Sequence, residues 1–238
     1  MRPASADAQW ARIPAGTFQM GCVSNDSQCT DDEQPPHTVT LTNGYELMAT
    51  AMTIGTFRTF ALATRTRVPE QPAWNTNARQ PVLNVTWDEA RAVCGWLGAR
   101  LPTEAEWERA ARGGLEDVRY GWGNQRPVAV PGAPNGARYQ SKATVPVGTF
   151  GANRFGLFDM AGNAYQWTAD WYGESYYAES PSTDPQGPAT GDFRVVRGGA
   201  WGDDARSLRA SYRDRSPPAR RLVDIGVRCA RDVPANRP

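Results

Sequence analysis

The sequence of 238 residues has little histidine, little net charge and no long apolar run. Because His37 is its one histidine, an iron or zinc centre that needs two imidazoles is excluded. A histidine-dependent nucleophile would also have to use His37, which stands at the start of a predicted strand, where a half-buried structural role is favoured. The 26 basic and 25 acidic residues nearly cancel, which argues against nucleic acid as a partner. No run approaches the roughly 20 apolar residues of a membrane span.

The four cysteines are an even number, and their arrangement bears on the compartment. Cys22 and Cys29 bracket a short polar loop that a disulfide would close, and Cys94 and Cys229 would then pair across the domain. Disulfides need an oxidising environment, so pairing would favour a periplasmic or secreted protein, whereas four buried thiols would suit the cytoplasm. A zinc site is disfavoured because no Cys-x-x-Cys occurs.

The 23 glycines, 19 prolines and nine tryptophans indicate an irregular, loop-rich fold. A Thr-x-x-Glu capping box at Thr86 begins the clearest helix, and Thr103 begins a second capped helix. Strands are predicted at 13–21 and 37–41, which should pair as an N-terminal ribbon, and at 194–201 and 225–229; helices are predicted at 53–64, 87–97 and 103–112; an ordered loop layer is predicted at 115–144.

Five motifs follow one another along the chain. They are Met20-Gly21, Arg-Leu-Pro-Thr-Glu-Ala-Glu-Trp-Glu at 100–108, Asn-Arg-Phe-Gly-Leu-Phe-Asp-Met-Ala-Gly-Asn-Ala-Tyr-Gln-Trp at 153–167, Arg-Val-Val-Arg-Gly-Gly-Ala-Trp at 194–201 and Ile-Gly-Val-Arg-Cys at 225–229. In this order and spacing they resemble the formylglycine-generating enzyme, or sulfatase-modifying factor, family over nearly the whole chain. The resemblance implies one domain over 1–238, ending in a tail at 232–238. It also implies an α+β, C-type-lectin-like fold of short antiparallel strands, few helices and little regular secondary structure, with Cys94 and Cys229 where the family commonly has a structural disulfide.

The resemblance also implies a calcium loop. The segment from 153 to 166 resembles the family's calcium-binding segment, in which carbonyl groups and short side chains surround a hard cation. Its candidate ligands are Asn153, Asn163 and Gln166. Since Gln166 replaces the usual Glu and removes one charge, a self-satisfied Asn turn is the alternative.

A departure from the family pattern decides which activity to expect. Members that oxidise a cysteine to formylglycine carry two cysteines after Arg-Gly-Gly-Ser, and these thiolates hold copper(I). Here Asp203 and Leu208 stand nearest those positions, and Ala200 replaces the active-site serine. We therefore expect no copper and no formylglycine formation.

The segment at about 201–224 is the predicted binding segment. From 202 to 238 the sequence has no Lys, Glu, Gln, Met or Trp, and its pattern resembles the variable region of diversity-generating retroelement proteins, which also use a lectin-like scaffold. We expect a binding module for an unknown protein or small molecule. The side chains expected to contact that ligand are Trp201, Asp203, Asp204, Arg206, Ser207, Tyr212, Asp214, Arg215 and Asp224.

Two further interpretations use the same segment. A tailoring enzyme or oxidoreductase with a non-cysteine site would use its aspartates as metal ligands or as acid and base, the alternative being solvated loop charge. Nine arginines against five aspartates from 202 onward leave a mild positive excess. That excess favours either an acidic ligand or pairing on the surface.

Overall fold

A computed structural model of the protein describes residues 8–233, so the predicted tail at 232–238 lies outside the described residues from 234 onward. Short strands and few helices alternate along this part of the chain, as the α+β prediction requires. The strands are β1 (Trp10–Ile13), β2 (Gly16–Met20), β3 (His37–Leu41), β4 (Tyr45–Met48), β5 (Tyr165–Trp171), β6 (Arg194–Arg197), β7 (Arg213–Ser216), β8 (Ile225–Gly226) and β9 (Ala230–Asp232); the helices are α1 (Ile54–Thr64), α2 (Trp87–Trp96), α3 (Glu104–Arg112) and α4 (Tyr176–Glu179), with a 3-10 turn at Asp31–Glu33.

The strands form three small sheets. The predicted N-terminal ribbon is confirmed as β2 paired antiparallel with β3, Phe18 opposite Val39. A second sheet has the order β1-β4-β9, and the largest has the order β7-β6-β5-β8, in which β8 runs parallel to β5. The predicted strand at 13–21 is wrong in one respect: Ile13 belongs to β1, and the pairing is interrupted at Pro14, which has no amide hydrogen to donate.

The helix starts follow the sequence prediction closely. The Thr86 hydroxyl accepts the Glu89 amide at 3.3 Å, and the Glu89 carboxylate accepts the Thr86 amide at 3.0 Å. Thr103 and Glu106 form the same box at the start of α3. Gly113 ends α3 in the left-handed conformation, at φ 63°, which explains why the helix stops there. Each box satisfies amides that would otherwise lack an acceptor.

The two predicted core strands near the C-terminus are shorter than predicted. β6 ends at Arg197 because Gly198 and Gly199 adopt φ values of 102° and 70°, outside the strand region. Of the predicted strand at 225–229, β8 contains two residues. The peptides that follow each strand are thereby turned toward the loops instead of along the sheet.

Two buried apolar clusters hold the sheets and helices together. One surrounds Trp167 and contains the disulfide between Cys94 of α2 and Cys229. The other surrounds Trp107 of α3 and the N-terminal strands. A third, smaller cluster packs the predicted loop layer, through Tyr120, against Leu208. The segment at 201–224 is thus held between the core and the loop layer.

None of the helices within residues 8–233 combines the length and the apolarity needed to cross a membrane.

Candidate functional site

The predicted binding segment divides into buried and outward residues. All nine side chains predicted to contact a ligand are exposed or half-buried. Six other side chains of the segment are almost completely buried: Leu208, Arg209, Ala210, Ser211, Arg213 and Ser216. The segment therefore has one set of residues that fixes the backbone and another that faces outward.

Buried arginines fasten the segment to the rest of the domain. The Arg209 guanidinium donates to both Glu33 oxygens at 2.6 Å and to Asp26 at 2.9 Å. Arg213 donates to the two oxygens of Glu104 at 2.7 and 3.0 Å. Such two-pronged, charge-assisted pairs fix geometry as well as charge. The outward residues are consequently presented from a rigid base.

These pairs change the meaning of the positive excess. Arg209, Arg213 and Arg228 are buried, and their charges are directed into the protein. Arg221 pairs with Glu89, and Arg231 pairs with Glu46. Pairing with carboxylates accounts for most of the excess of arginine over aspartate. Much of this pairing lies in the interior of the protein instead of on its surface. An acidic ligand does not follow from the arginine count.

Three of the predicted aspartates meet around one tyrosine, and we call Tyr165, Asp203, Asp214 and Asp224 the carboxylate cleft. The charges of Asp203 and Asp214 act on the Tyr165 phenol, and the Tyr165 amide donates to the Asp224 carbonyl at 2.8 Å. Asp203 also accepts the Ala200 amide at 2.9 Å, while Oδ1 of Asp224 is buried without a hydrogen-bond partner.

The carboxylate cleft consists of acidic groups and contains no basic side chain. Burial raises the pKa of Asp203, Asp214 and Asp224. The charge of Asp214 raises the pKa of Asp203 and of Asp224 further, whereas Arg215 opposes the rise at Asp214. Burial, followed by the charges of Asp203 and Asp214, also raises the pKa of the Tyr165 phenol. A hydrogen-bond donor or a positive group entering the cleft would relieve this repulsion.

An aromatic pair lies beside Asp203 in the chain. Trp201 packs edge to face on Trp74, with the ring centroids 4.9 Å apart, and donates its indole hydrogen to the Val223 carbonyl at 3.2 Å. Trp74 is not among the predicted contact residues. Its position in a proline-rich loop, where an indole has few core partners, is the sequence signal that points to it.

The remaining predicted residues lie on other surfaces. Arg215 alternates with Asp214 along β7, so it points to the opposite face, where it donates to the Tyr172 hydroxyl at 3.0 Å. Arg206 turns toward the disulfide loop and donates to the Gln28 carbonyl at 3.1 Å. Ser207 lies near Tyr212. The nine residues thus form several adjoining contact areas and no single pocket.

The predicted calcium ligands are all engaged with protein groups. Oε1 of Gln166 accepts hydrogen bonds from Trp107 and from Arg228, both at 2.8 Å. The Asn163 amide exchanges hydrogen bonds with the Val145 backbone, and the Asn153 amide bonds to backbone groups on both sides.

The charge beside Gln166 opposes a cation as well. Burial lowers the pKa of Arg228 to about 10, so its guanidinium stays charged at neutral pH. Within residues 8–233, no three His, Cys, Asp or Glu side chains are grouped as metal ligands. In this arrangement the side-chain oxygen of Gln166 is already occupied by two hydrogen bonds. Calcium binding by the three predicted residues stays a prediction.

The donor set for copper(I) is missing for a chemical reason. All four cysteines of the sequence are paired, Cys22 with Cys29 and Cys94 with Cys229, which confirms both predicted disulfides. Leu208, near the second cysteine position of the family, is buried against the loop layer. Copper(I) prefers soft sulfur ligands, and none is available as a thiolate here.

Comparison with known proteins agrees with these features. Residues 2–233 match the sulfatase-modifying factor enzyme 1-like domain family. The formylglycine-generating enzyme of Streptomyces coelicolor is 33% identical, over 98% of this chain and 91% of that protein. PvdO from Pseudomonas aeruginosa superimposes with a TM-score of 0.79 at 26% identity over 94% of both chains. Treponema denticola variable protein 1 superimposes with a TM-score of 0.77, also at 26% identity, over 97% of both chains.

Proposed function

The chain belongs to the sulfatase-modifying factor enzyme 1-like domain family, and we propose that it is a binding domain that contacts a protein or small-molecule ligand through residues 201–224. Its fold is the α+β, C-type-lectin-like fold of that family. The observation that supports the proposal is the division of this segment into buried anchors and outward side chains. Binding surfaces need this division, because a rigid base lowers the entropy lost on binding.

Formylglycine formation by the Streptomyces relative is not carried over to this chain. That activity, in the family pattern, depends on two thiolates that hold copper(I). Asp203 and Leu208 stand near those positions, and the four cysteines are bound in disulfides. The scaffold is retained, and the soft ligands are replaced by a carboxylate and an apolar side chain.

The carboxylate cleft and the Trp74–Trp201 pair support a ligand group that carries a positive charge or several hydrogen-bond donors. Three carboxyl groups with raised pKa values gain most from a donor, and an indole face adds cation–π attraction of about 0.5–2 kcal/mol. This differs from the acidic ligand considered from the arginine count. The difference arises because arginines 209, 213 and 228 point into the protein.

A finer proposal is that residues 201–224 are diversified between copies of the gene. The similarity to Treponema denticola variable protein 1 supports it, as does the absence of five residue types after position 201. The test is the neighbouring DNA. A reverse transcriptase gene beside a near-repeat of the codons for 194–231 is expected, and a neighbourhood without either would remove this part of the proposal.

The binding proposal is tested with a panel of amine probes against the whole chain. Ligand-observed NMR with choline, arginine methyl ester and a lysine-rich peptide should show saturable binding to the wild type. The double variant Asp203→Asn, Asp214→Asn should lose it, whereas Arg215→Gln, on the opposite face of β7, should keep it. Turnover of a Cys-x-Pro-x-Arg peptide to an aldehyde, or probe binding that ignores the double substitution, would contradict the proposal.

One observation favours a second candidate, an enzyme with a non-cysteine site. Carboxyl groups with raised pKa values next to a tyrosine are the usual components of acid–base catalysis. An enzyme of this kind would convert a bound amine probe with a rate that depends on the protonation of Asp203. Probe binding without any conversion over the range of pH 4 to 9 favours the binding domain.

A further inference from the structure

A positively charged groove lies between the disulfide loop, the loop layer and the start of the binding segment. It has a volume of about 410 Å³. Its lining includes three arginines, Arg119, Arg126 and Arg206, against one carboxylate, Asp204, which leaves two net positive charges. None of the carboxylate-cleft residues lines this groove, but Asp204 and Arg206 belong to residues 201–224, so a ligand site here rests on the proposed function of that segment.

The disulfide loop holds two of the three guanidinium groups in place. Arg119 donates to the Asn25 carbonyl, and Arg206 donates to the Gln28 carbonyl at 3.1 Å. Both carbonyls belong to the loop that the Cys22–Cys29 disulfide closes. The two side chains therefore have defined positions before any ligand arrives, which reduces the entropy that binding would cost.

The arginines of the groove differ in how far the protein satisfies them. Arg119 donates to the Asn25 carbonyl and faces Asp26, whose Oδ1 lies 3.9 Å from Nε of Arg119, while Oδ2 of Asp26 accepts from Arg209 at 2.9 Å. The Arg126 side chain makes no hydrogen bond or ion pair with any part of the chain that the structure describes.

The carboxylate in the groove offsets one of the three arginine charges. Oδ1 of Asp204 accepts the backbone amide of Arg206 at 2.9 Å, which holds it in the turn. Gln28 and Gln140 add exposed amide groups to the lining. The groove thus combines guanidinium and amide donors with a volume in the range of small-molecule sites.

We propose that this groove binds a small molecule through a phosphate group. Guanidinium groups match phosphate oxygens in charge and in geometry, and three of them around one groove favour a doubly charged oxyanion over a single carboxylate. A nucleic acid is disfavoured because the net charge of the chain is +1, too low for the extended positive surface that a polyanion needs. Both inorganic phosphate and a phosphate monoester carry the required group.

Calorimetric titration of the whole chain with inorganic phosphate and with phenyl phosphate, in low salt, tests the proposal. Saturable binding of one equivalent is expected, weakening as salt is added because the charges are partly exposed. Arg126→Gln and Arg206→Gln should each raise the Kd about 10-fold, which corresponds to one lost charge-assisted hydrogen bond. Arg220→Gln, an exposed arginine of the same segment outside the groove, is the matched control and should leave the Kd unchanged.

The variants also separate binding from folding. Because the Arg126 side chain has no described protein partner, its replacement should leave the thermal unfolding midpoint unchanged. Binding of phenyl phosphate alone would identify a monoester as the ligand, and binding of both probes would identify free phosphate as sufficient. If neither phosphate nor phenyl phosphate saturates the protein, or if Arg220→Gln weakens binding as much as Arg126→Gln, the proposal is wrong.

Discussion

The ion pairs beneath the binding segment allow a quantitative prediction for Arg209→Met. Methionine keeps the apolar stem but removes the guanidinium that bonds Glu33 and Asp26, all three side chains being fully buried. Breaking a buried pair in this way leaves uncompensated carboxylates and costs about 3–5 kcal/mol. For a chain of this size that cost lowers the unfolding midpoint by roughly 6–20 °C.

The loss should depend on pH in a defined direction. Burial raises the pKa of Glu33, but the hydrogen bonds and charge of Arg209 outweigh it and hold that pKa below its ordinary value. In the wild type this carboxylate therefore stabilises the fold above its unfolded pKa, and the stabilisation is lost as the pH falls through the folded pKa. In the variant only the hydrogen bonds from Ser211 and Thr30 still oppose the effect of burial on this pKa, so the difference between the two proteins should be largest at neutral pH and should shrink below about pH 4.

Urea unfolding at pH 7 and pH 4, followed by tryptophan fluorescence with the disulfides intact, measures both effects. The triple variant Arg209→Met, Glu33→Gln, Asp26→Asn is the control, because it removes the stranded charges and should recover part of the lost stability. A loss below about 1 kcal/mol at pH 7 would refute the reasoning. So would a loss of equal size at both pH values.

Three other predictions concern stability and metal binding. Removing the Cys94–Cys229 disulfide, whose partners are 135 residues apart, should lower the free energy of unfolding by about 5 kcal/mol. Removing the Cys22–Cys29 disulfide, with a separation of 7, should lower it by about 2.4 kcal/mol. Urea unfolding of the two double serine variants measures both losses. Asp224→Asn should raise the unfolding midpoint at pH 7 but not at pH 3, because burial raises the pKa of this carboxyl and its charged form opposes folding as the pH rises. Since the side-chain oxygen of Gln166 accepts hydrogen bonds from Trp107 and Arg228, millimolar calcium should leave the thermal unfolding midpoint of the wild type unchanged. A rise of this midpoint with calcium would show that the segment from 153 to 166 binds calcium.

Local sequence patterns predicted the helices well. Both capping boxes appear in the structure because each involves residues three positions apart, whose geometry the helix itself sets. The loop disulfide could be anticipated for the same reason, since its partners are seven residues apart. The N-terminal ribbon followed from alternation, although the break at Pro14 was missed.

The candidate site was only partly predictable. All nine predicted contact residues are on the surface, but they face several directions because alternate residues of β7 point to opposite sides of the sheet. Trp74 stands 127 positions before its partner Trp201, so no local pattern linked the two residues. The partners of the arginines could not be predicted from the sequence either, because Arg209 bonds Glu33, which is 176 positions away in the chain.

The sequence by itself determined the family, the capped helices, the four cysteines and the loss of copper ligands, because each depends on which residues are present and on short spacings. The tertiary structure decided which charges are buried and which remain free. It placed three aspartates of one segment around the distant Tyr165, and it brought Arg206 to the same groove as Arg119 and Arg126. A charge acts on a ligand only where folding leaves it accessible and without a partner, and that is a property of long-range packing.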